Sequence, residues 1–145
     1  MEIIIERIET FSESIAPEIN SLARQLVANS RMLDNEDVKN LVENQANRFF
    51  VAREAASNKI IGMLTLVILD VPSVKKGLLE EIVVDNKHRR KGIGRKLLSA
   101  AMKQARKEGA SYIDFTSRPE RKEAKSFYQK LGFNKRDTNV YRINL

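Results

Sequence analysis

The stretch between residues 78 and 116 constrains the fold more than any other part of the chain. Residues 78–84 (LLEEIVV) end in three β-branched side chains and predict a strand, and residues 112–116 predict another. Between them, residues 92–108 predict a helix that ends at Gly109. Its apolar residues recur at helical spacing: Ile93, Leu97, Leu98, Ala101, Met102 and Ala105. This strand–helix–strand crossover, together with a second one nearer the end of the chain, implies a mixed sheet with helices packed on its faces.

The remaining elements follow from the same kinds of pattern. Strands are predicted at residues 2–8, 48–55 and 59–69, with a hairpin turn at 57–58 and a turn at 70–73. Helices are predicted at 12–29, from Asp34 or Asn35 onward, and at 120–131, and two short strands at 133–136 and 140–145 close the chain. The order is β–α–α–β–β–β–α–β–α–β–β, an α/β (α+β) fold. No linker divides it, so residues 1–145 are expected to form a single domain.

Composition excludes several classes of site. The 145 residues contain no cysteine and one histidine, which excludes disulfides, thiolate metal sites, a cysteine nucleophile and a histidine-based zinc site. We therefore expect no metal. The apolar runs are too short to span a membrane, and five glutamates in the first 30 residues are atypical of a signal or transit peptide. These features lead us to expect a cytoplasmic protein without a membrane partner.

Charge is distributed unevenly along the chain. Residues 1–85 carry nine Lys and Arg against 14 Asp and Glu, whereas residues 86–145 carry 17 against five. From Lys87 to Lys107 there are nine basic residues and no acidic one. This asymmetry predicts a polyanionic partner, either a nucleic acid or a phosphorylated small molecule. Charge alone leaves both open.

The basic segment contains a loop that leads directly into the predicted helix. The first turn of a helix has N–H groups without partners, at the positive end of the helix dipole. Glycines at positions 92 and 94 leave room for a phosphate, and four side chains add positive charge: Arg89, Arg90, Lys91 and Arg95. The loop lacks the Lys-Ser/Thr ending of a P-loop and the third glycine of a dinucleotide fingerprint. It nevertheless predicts an anion site suited to a pyrophosphate.

These residues match a known family pattern. Arg89-x-x-Gly92-x-Gly94 resembles the Arg/Gln-x-x-Gly-x-Gly/Ala signature of the GNAT superfamily of N-acetyltransferases. The strand at 81–85 is similar to that family's cofactor-side strand, and residues 124–133 (AKSFYQKLGF) are similar to its A-x-x-F-Y-x-x-x-G-F helix ending. The resemblance covers about residues 60–145. It implies the GNAT fold, a twisted, mostly antiparallel mixed sheet of about seven strands flanked by about four helices.

The resemblance also implies acetyl-CoA as cofactor and CoA as product. Main-chain groups of Ile82, Val83 and Val84 would bind the pantetheine arm, although a plain buried strand explains the same residues. The pyrophosphate would lie on the loop residues Arg89, Arg90, Lys91, Gly92, Ile93, Gly94 and Arg95, some of whose side chains could simply add positive field. Ser117 stands where the family often has a cofactor-binding Asn. The 3′-phosphate would be bound near the start of the next helix, by one of Arg118, Arg121, Lys122 and Lys125.

The implied reaction is acetyl transfer from a thioester to an amine. Because there is no cysteine, the amine would attack directly and form a tetrahedral intermediate. Tyr128 matches the family's general acid toward the sulfur, or it is a core tyrosine. Glu81 matches a carboxylate base, with Glu80 or a water relay as alternatives. Strand alternation would place the two glutamates on opposite faces.

Two further expectations concern groups near this site. The amide of Val83 or Val84 could donate to the oxyanion. His88, which lies in the basic loop, is expected to be solvated rather than catalytic.

The acceptor remains open between a small-molecule amine and a peptide amine. Residues 1–50 carry five basic against nine acidic residues, which favours a cationic acceptor such as a polyamine, an aminoglycoside or a lysine-bearing peptide. Two alternatives are a GNAT-fold sensor that binds acyl-CoA without turnover and a basic nucleic-acid-binding module. The aromatic residues of the basic half are few and most sit at core-facing positions, so no nucleic-acid partner is expected. The family resemblance fits a homodimer through the C-terminal strands.

Overall fold

The computed structural model describes residues 1–117 and 122–145, which fall into two compact units, residues 1–115 and 116–145. The first unit contains five strands and three helices. In chain order they are β1 (Ile3–Ile8), α1 (Ala16–Leu26), α2 (Asn35–Glu43), β2 (Asn47–Glu54), β3 (Ile60–Val71), β4 (Val74–Val84), α3 (Ile93–Lys107) and β5 (Ile113–Asp114). Short 3-10 turns at Glu13–Ile15 and Asn86–His88 precede α1 and follow β4. The second unit contains α4 (Lys122–Lys130).

The five strands form one sheet in the order β1-β2-β3-β4-β5. The first four strands are antiparallel neighbours, and β5 pairs in parallel with β4. The predicted α/β fold with a mixed, mostly antiparallel sheet is thereby confirmed. No helix among the described residues has both the length and the apolar content needed to cross a membrane.

Helices cover both faces of the sheet. On one face, α1 and α2 contribute Ile19, Leu22 and Val38 to a core cluster that contains Val51 and Met63 of the sheet. A neighbouring strand residue points the other way. Gly62 accordingly faces α3: a Cβ there would lie 3.2 Å from Leu97 Cδ1 and 3.3 Å from Ile93 Cγ2. The missing side chain of Gly62 lets α3 approach β3 closely.

Local signals set the ends of α2 and α3 as predicted, whereas α1 spans Ala16–Leu26 and is shorter than the predicted 12–29, without a side-chain cap. Asp34 caps α2, since its Oδ1 accepts from the Asp37 amide at 2.8 Å while Asp37 Oδ2 accepts from the Asp34 amide at 3.1 Å. The C-terminus of α3 is closed by Gly109, whose φ of +84° suits glycine. Helix α3 itself runs over Ile93–Lys107, one residue inside each predicted end.

Three parts of the sheet differ from the predictions. Strand β5 spans only Ile113–Asp114 of the predicted 112–116. The turn predicted at 70–73 is shorter, because β3 runs to Val71 and β4 begins at Val74. The strands predicted at 133–136 and 140–145 are wrong: residues 133–145 contain no strand, and the sheet has five strands rather than about seven. Val140, Tyr141 and Ile143 are exposed there. An alternating pattern forms a strand only where a neighbouring strand takes up its backbone hydrogen bonds.

One ion pair fastens the end of α3 to the sheet. Arg48 of β2 donates from Nε to Glu108 Oε2 at 2.8 Å and from Nη2 to Oε1 at 2.5 Å, and Gln104 Nε2 adds a third hydrogen bond at 2.7 Å. The side chains of Arg48 and Glu108 are 14% and 23% exposed. The Arg48 guanidinium holds the pKa of the Glu108 carboxyl below its ordinary value, against the opposing effect of burial. The pair is a bidentate contact largely shielded from water.

We predict that Glu108→Gln destabilises the chain by about 1–3 kcal/mol, because Arg48 loses its charged partner while remaining mostly buried. Since the native pKa of Glu108 is depressed, its stabilisation is complete above the unfolded-state value of about 4.3 and is lost as the pH falls through the native value. Urea unfolding at several pH values measures both effects. Lys39→Ala is the control, because Lys39 and Glu43 form an exposed pair and should contribute less than about 0.5 kcal/mol. Equal losses in both variants would contradict the prediction.

Candidate functional site

The far half of β4 has one unpaired edge. Strand β5 pairs with β4 only at Gly77 and Leu78. From Leu79 to Val84, no described residue forms a ladder with that edge of β4, whereas β3 continues along the other edge. A buried or half-buried strand edge leaves N–H and C=O groups that need partners from water or from a ligand. We call residues 79–84 of β4, on the side away from β3, the open edge.

A β-bulge interrupts β4 within this stretch. Glu80 lies opposite Thr65 and Val83 lies opposite Met63, so β4 has two residues where β3 has one. Glu81, in the bulge, has φ of +56°, a left-handed conformation that costs a residue other than glycine about 1–2 kcal/mol. Regular alternation does not apply across a bulge, and the side chains of Glu80 and Glu81 are both exposed. Such local strain is characteristic of functional positions.

The bulge also fixes which backbone groups face the open edge. The Asp85 amide donates to the Ile61 carbonyl of β3 at 2.8 Å. Backbone groups alternate in direction along a strand, so Val83 faces β3 whereas Val84 and Ile82 face away from it. Arg89 supports this assignment, because its Nε donates to the Val84 carbonyl at 3.2 Å. Of the three residues proposed for main-chain contacts, Ile82 and Val84 therefore present their backbone at the open edge, and Val83 is engaged by β3.

The loop after β4 concentrates backbone N–H groups at the start of α3. Arg90 and Gly92 have φ of +62° and +78°, on either side of Lys91. Gly92 is the N-cap, no side chain caps the helix, and its first turn has no acidic residue. Successive amides in such left-handed turns form a concave donor surface that suits anions. Among the described residues, no backbone acceptor is paired with the amides of Ile93, Gly94 and Arg95, so these amides are the donors that the predicted anion site would use.

A cluster of three side chains holds the beginning of this loop. Gln25 of α1 donates from Nε2 to Asp85 Oδ1 at 2.8 Å, and Gln25 Oε1 accepts from the Asn86 amide at 2.8 Å. His88 Nδ1 lies 2.6 Å from Asp85 Oδ2. Burial raises the pKa of the Asp85 carboxyl, whereas the hydrogen bonds from Gln25 and His88 lower it. The lowering effects together outweigh the effect of burial, so the pKa lies below its ordinary value. The cluster connects α1 to the end of β4.

The expectation that His88 is solvated is wrong, since its side chain is 19% exposed and bound to Asp85. No sequence signal pointed to Gln25, which is 60 residues away from Asp85. Arg89 was predicted to bind an anion and is bonded to the Val84 carbonyl. The side chains of Arg90, Lys91 and Arg95 are exposed, and that of Ile93 is buried.

The second unit holds the remaining predicted residues. In α4, the Tyr128 ring lies 5.6 Å from the Phe127 centroid and 6.1 Å from the Phe133 centroid. The Phe133 amide donates to the Tyr128 carbonyl at 3.1 Å, which closes the helix in a Schellman motif with Gly132. Lys122 and Lys125 are exposed on α4, and Ser117 precedes the helix. Arg118 and Arg121, two candidates for the 3′-phosphate, and Glu120, the predicted start of the helix, lie outside the described residues.

Comparison with known proteins gives one family. Residues 15–133 match the family described as "Acetyltransferase (GNAT) family". Over 132 residues the chain is 28% identical to N-acetyltransferase 8 of Homo sapiens, a match that covers 86% of this chain and 57% of the human protein. N-acetyltransferase 8B of Homo sapiens is 26% identical, with 92% of this chain and 61% of that protein covered. The chain thus spans about three fifths of the length of these curated relatives.

Solved structures show the same fold. An acetyltransferase from Trypanosoma brucei superposes with a TM-score of 0.82 at 19% identity, covering 99% of this chain and 100% of that one. Glucosamine-6-phosphate N-acetyltransferase from Arabidopsis thaliana superposes with a TM-score of 0.81 at 20% identity, covering 99% of both chains. At these identities the likeness concerns the fold alone.

We predict that Gly92→Ala weakens inorganic pyrophosphate binding, because a Cβ at φ of +78° strains the loop that orients the backbone N–H donors at the start of α3. Gly109→Ala is the matched control. Gly109 has φ of +84°, also has open space around it, and ends the same helix. Both variants should lose about 1–2 kcal/mol of stability in urea unfolding. Only Gly92→Ala should lose pyrophosphate affinity in calorimetric titration, and an equal loss in both variants would contradict a site at residues 92–95.

We predict that Gln25→Ala lowers pyrophosphate affinity by about 3- to 10-fold, because the loop loses two hydrogen bonds of about 1 kcal/mol each that preorganise it. The control is Ser21→Ala, an exposed position one turn earlier on α1. Calorimetric titration gives the affinities, and thermal unfolding without ligand monitors the fold. If Gln25→Ala binds pyrophosphate as tightly as Ser21→Ala, the cluster does not shape the loop.

Proposed function

The chain belongs to the acetyltransferase (GNAT) family, and from that premise we propose that it transfers the acetyl group of acetyl-CoA to an amine nitrogen. The observation that carries the proposal is the continuity of two binding surfaces. The open edge of β4 ends at Val84, and the uncapped start of α3 follows eight residues later at Gly92. An extended ligand with amides at one end and a pyrophosphate at the other fits that order.

The residues present fit the two parts of such a ligand. The pantetheine arm contains amides, which can pair with a strand edge as an added strand does. Ile82 and Val84 face that edge by the register of β4. The pyrophosphate carries charge that suits free helical N–H groups, and Gly92 has no atom within 4 Å of the position its Cβ would take. Bound acetyl-CoA supplies an activated thioester for the transfer.

The proposed reaction balances without a covalent enzyme intermediate. The amine nitrogen forms a bond to the thioester carbonyl carbon, and the carbon–sulfur bond breaks. The amine proton goes to a base, and the sulfur receives a proton from an acid. We assign Tyr128 as the acid. Glu81 is the proposed base, directly or through water, because it is an exposed carboxylate held in a strained bulge. Glu80, also exposed, is the alternative base.

The acceptor we propose is a cationic amine. Helix α2 and its N-cap carry four acidic residues against one lysine: Asp34, Glu36, Asp37 and Glu43. Negative charge on these N-terminal residues attracts cationic substrates and raises their rate of encounter with the chain. A panel that includes spermidine, an aminoglycoside and a lysine-bearing peptide tests this. Turnover of neutral or anionic amines alone would contradict it.

A second candidate function is a sensor that binds acetyl-CoA without turnover. The binding surfaces of β4 and α3 would serve a sensor equally well. The strained Glu81 favours the enzyme, because a binding role alone gives no reason for an exposed carboxylate at that bulge. Release of free CoA thiol in the presence of the amine panel separates the two functions.

We predict that Tyr128→Phe lowers kcat by about 10-fold or more and leaves the acetyl-CoA Kd within about twofold, because only the proton donor is lost. The control is Tyr141→Phe, since Tyr141 is 88% exposed in the same unit. Turnover is followed by free-thiol detection, and binding by thermal shift. An unchanged kcat in Tyr128→Phe would contradict its assignment as the acid. Glu81→Gln tests the base in the same assay.

A further inference from the structure

The outer surface of α3 carries positive charge almost without interruption. Six residues of the helix are exposed, and every one except Ser99 is a lysine or an arginine. The five are Arg95, Lys96, Lys103, Arg106 and Lys107. We call these five residues the α3 basic face. The apolar residues of the helix point the opposite way and are buried, Leu97 at 0% and Leu98 at 1% exposure.

Helix geometry places the five charges on one narrow strip. At about 100° per residue, the five positions fall within an arc of roughly 120° around the helix. From Arg95 to Lys107 the strip is about 18 Å long, at about 1.5 Å per residue. A partner that contacts the strip from one side can therefore reach all five side chains.

The charge of the α3 basic face is not neutralised locally. Within residues 1–117 and 122–145, none of the five side chains forms an ion pair. The carboxylate of the adjacent acidic residue, Glu108, already accepts hydrogen bonds from Arg48 and Gln104. Five uncompensated cations on one strip repel one another, and an anionic partner would relieve that repulsion.

The anion site at the start of α3 does not account for this surface. That site lies at the amides of residues 93–95, in the first turn of the helix. Lys103 and Lys107 follow Ile93 by 10 and 14 residues, which is about 15 and 21 Å along the axis. A pyrophosphate at the helix start is beyond the reach of these side chains.

We propose that the α3 basic face docks on the phosphate backbone of a nucleic acid duplex. A duplex offers a regular array of phosphates longer than the 18 Å strip, and lysine and arginine bind phosphate without reading sequence. A membrane surface is the less suitable partner, because interfacial helices insert large apolar side chains and those of α3 are buried in the core. This proposal reverses the expectation, drawn from the few aromatic residues of the basic half, that the chain has no nucleic-acid partner.

The expected binding is electrostatic and independent of sequence. Neutralising three to five phosphates gives a slope of log K against log salt of about −3 to −4.5, and a Kd of about 10⁻⁴–10⁻⁶ M near physiological salt. Salt should therefore weaken the complex steeply. Replacing residues that contact phosphate changes the salt dependence of binding. Replacing residues that only support the fold leaves that dependence unchanged.

The test is fluorescence anisotropy with a labelled 20-base-pair DNA duplex and an RNA duplex of the same length, from 50 to 200 mM NaCl. Lys103→Glu/Lys107→Glu should weaken binding at least about 10-fold. The matched control, Arg31→Glu/Lys59→Glu, makes the same change in net charge at exposed positions outside α3 and should change binding by less than about twofold. Lys103→Gln/Lys107→Gln, which adds no negative charge to the helix end, should reduce the magnitude of the salt slope by about 2. CoA affinity should be unchanged in every variant.

Several outcomes would overturn the proposal. Equal loss in the α3 and control variants would mean that net charge alone drives binding. A duplex Kd weaker than about 1 mM at 50 mM NaCl would exclude a nucleic acid duplex as the partner of the α3 basic face. Displacement of the duplex by poly-glutamate of equal charge, or tighter binding to phosphatidylserine vesicles than to duplex, would assign the surface to an acidic protein or a membrane instead.

Discussion

Strands β4 and β5 separate after Leu78, and the candidate site depends on this separation. Backbone donors and acceptors cannot be left without partners, so an open edge inside a sheet needs water, a side chain or a ligand. Arg89 occupies one such group, the Val84 carbonyl, and the bulge at Glu81 decides which residues face outward. A regular β4 would instead direct the backbone of Val83 to the open edge, and Glu81 would not be strained.

Three contacts fix the position of α3 and of the loop that precedes it. Ile93 and Leu97 pack against Gly62, which lies opposite Val84 in the β3–β4 ladder, so the helix begins where the open edge ends. At the other end, Glu108 binds Arg48 of β2. Gln25 fixes the intervening loop through Asp85 and Asn86. The order of the two proposed binding surfaces is therefore set by packing.

The features that could be predicted from the sequence are those that depend on residues close together in the chain. The extent of α3 and the cap at Asp34 follow from periodicity and local hydrogen bonding, and the structure confirms them. The bulge at Glu81 and the Gln25–Asp85 contact depend on register and tertiary packing, which no local pattern encodes. The two predicted C-terminal strands failed for the same reason, since alternation alone supplies no pairing partner. The contact between His88 and Asp85, only three residues apart, is local, but the basic composition of the loop does not predict it.

The central claim is that the open edge and the start of α3 form one cofactor cradle. Amide chemical shifts and hydrogen exchange in a ¹⁵N-labelled sample, recorded with and without CoA, test it most directly. We expect the amides of Ile82, Val84 and residues 93–95 to shift and gain protection together, while the Val83 amide, already bound to β3, keeps its protection. Saturating CoA that leaves these amides unchanged, or that protects a different part of the chain, would contradict the account.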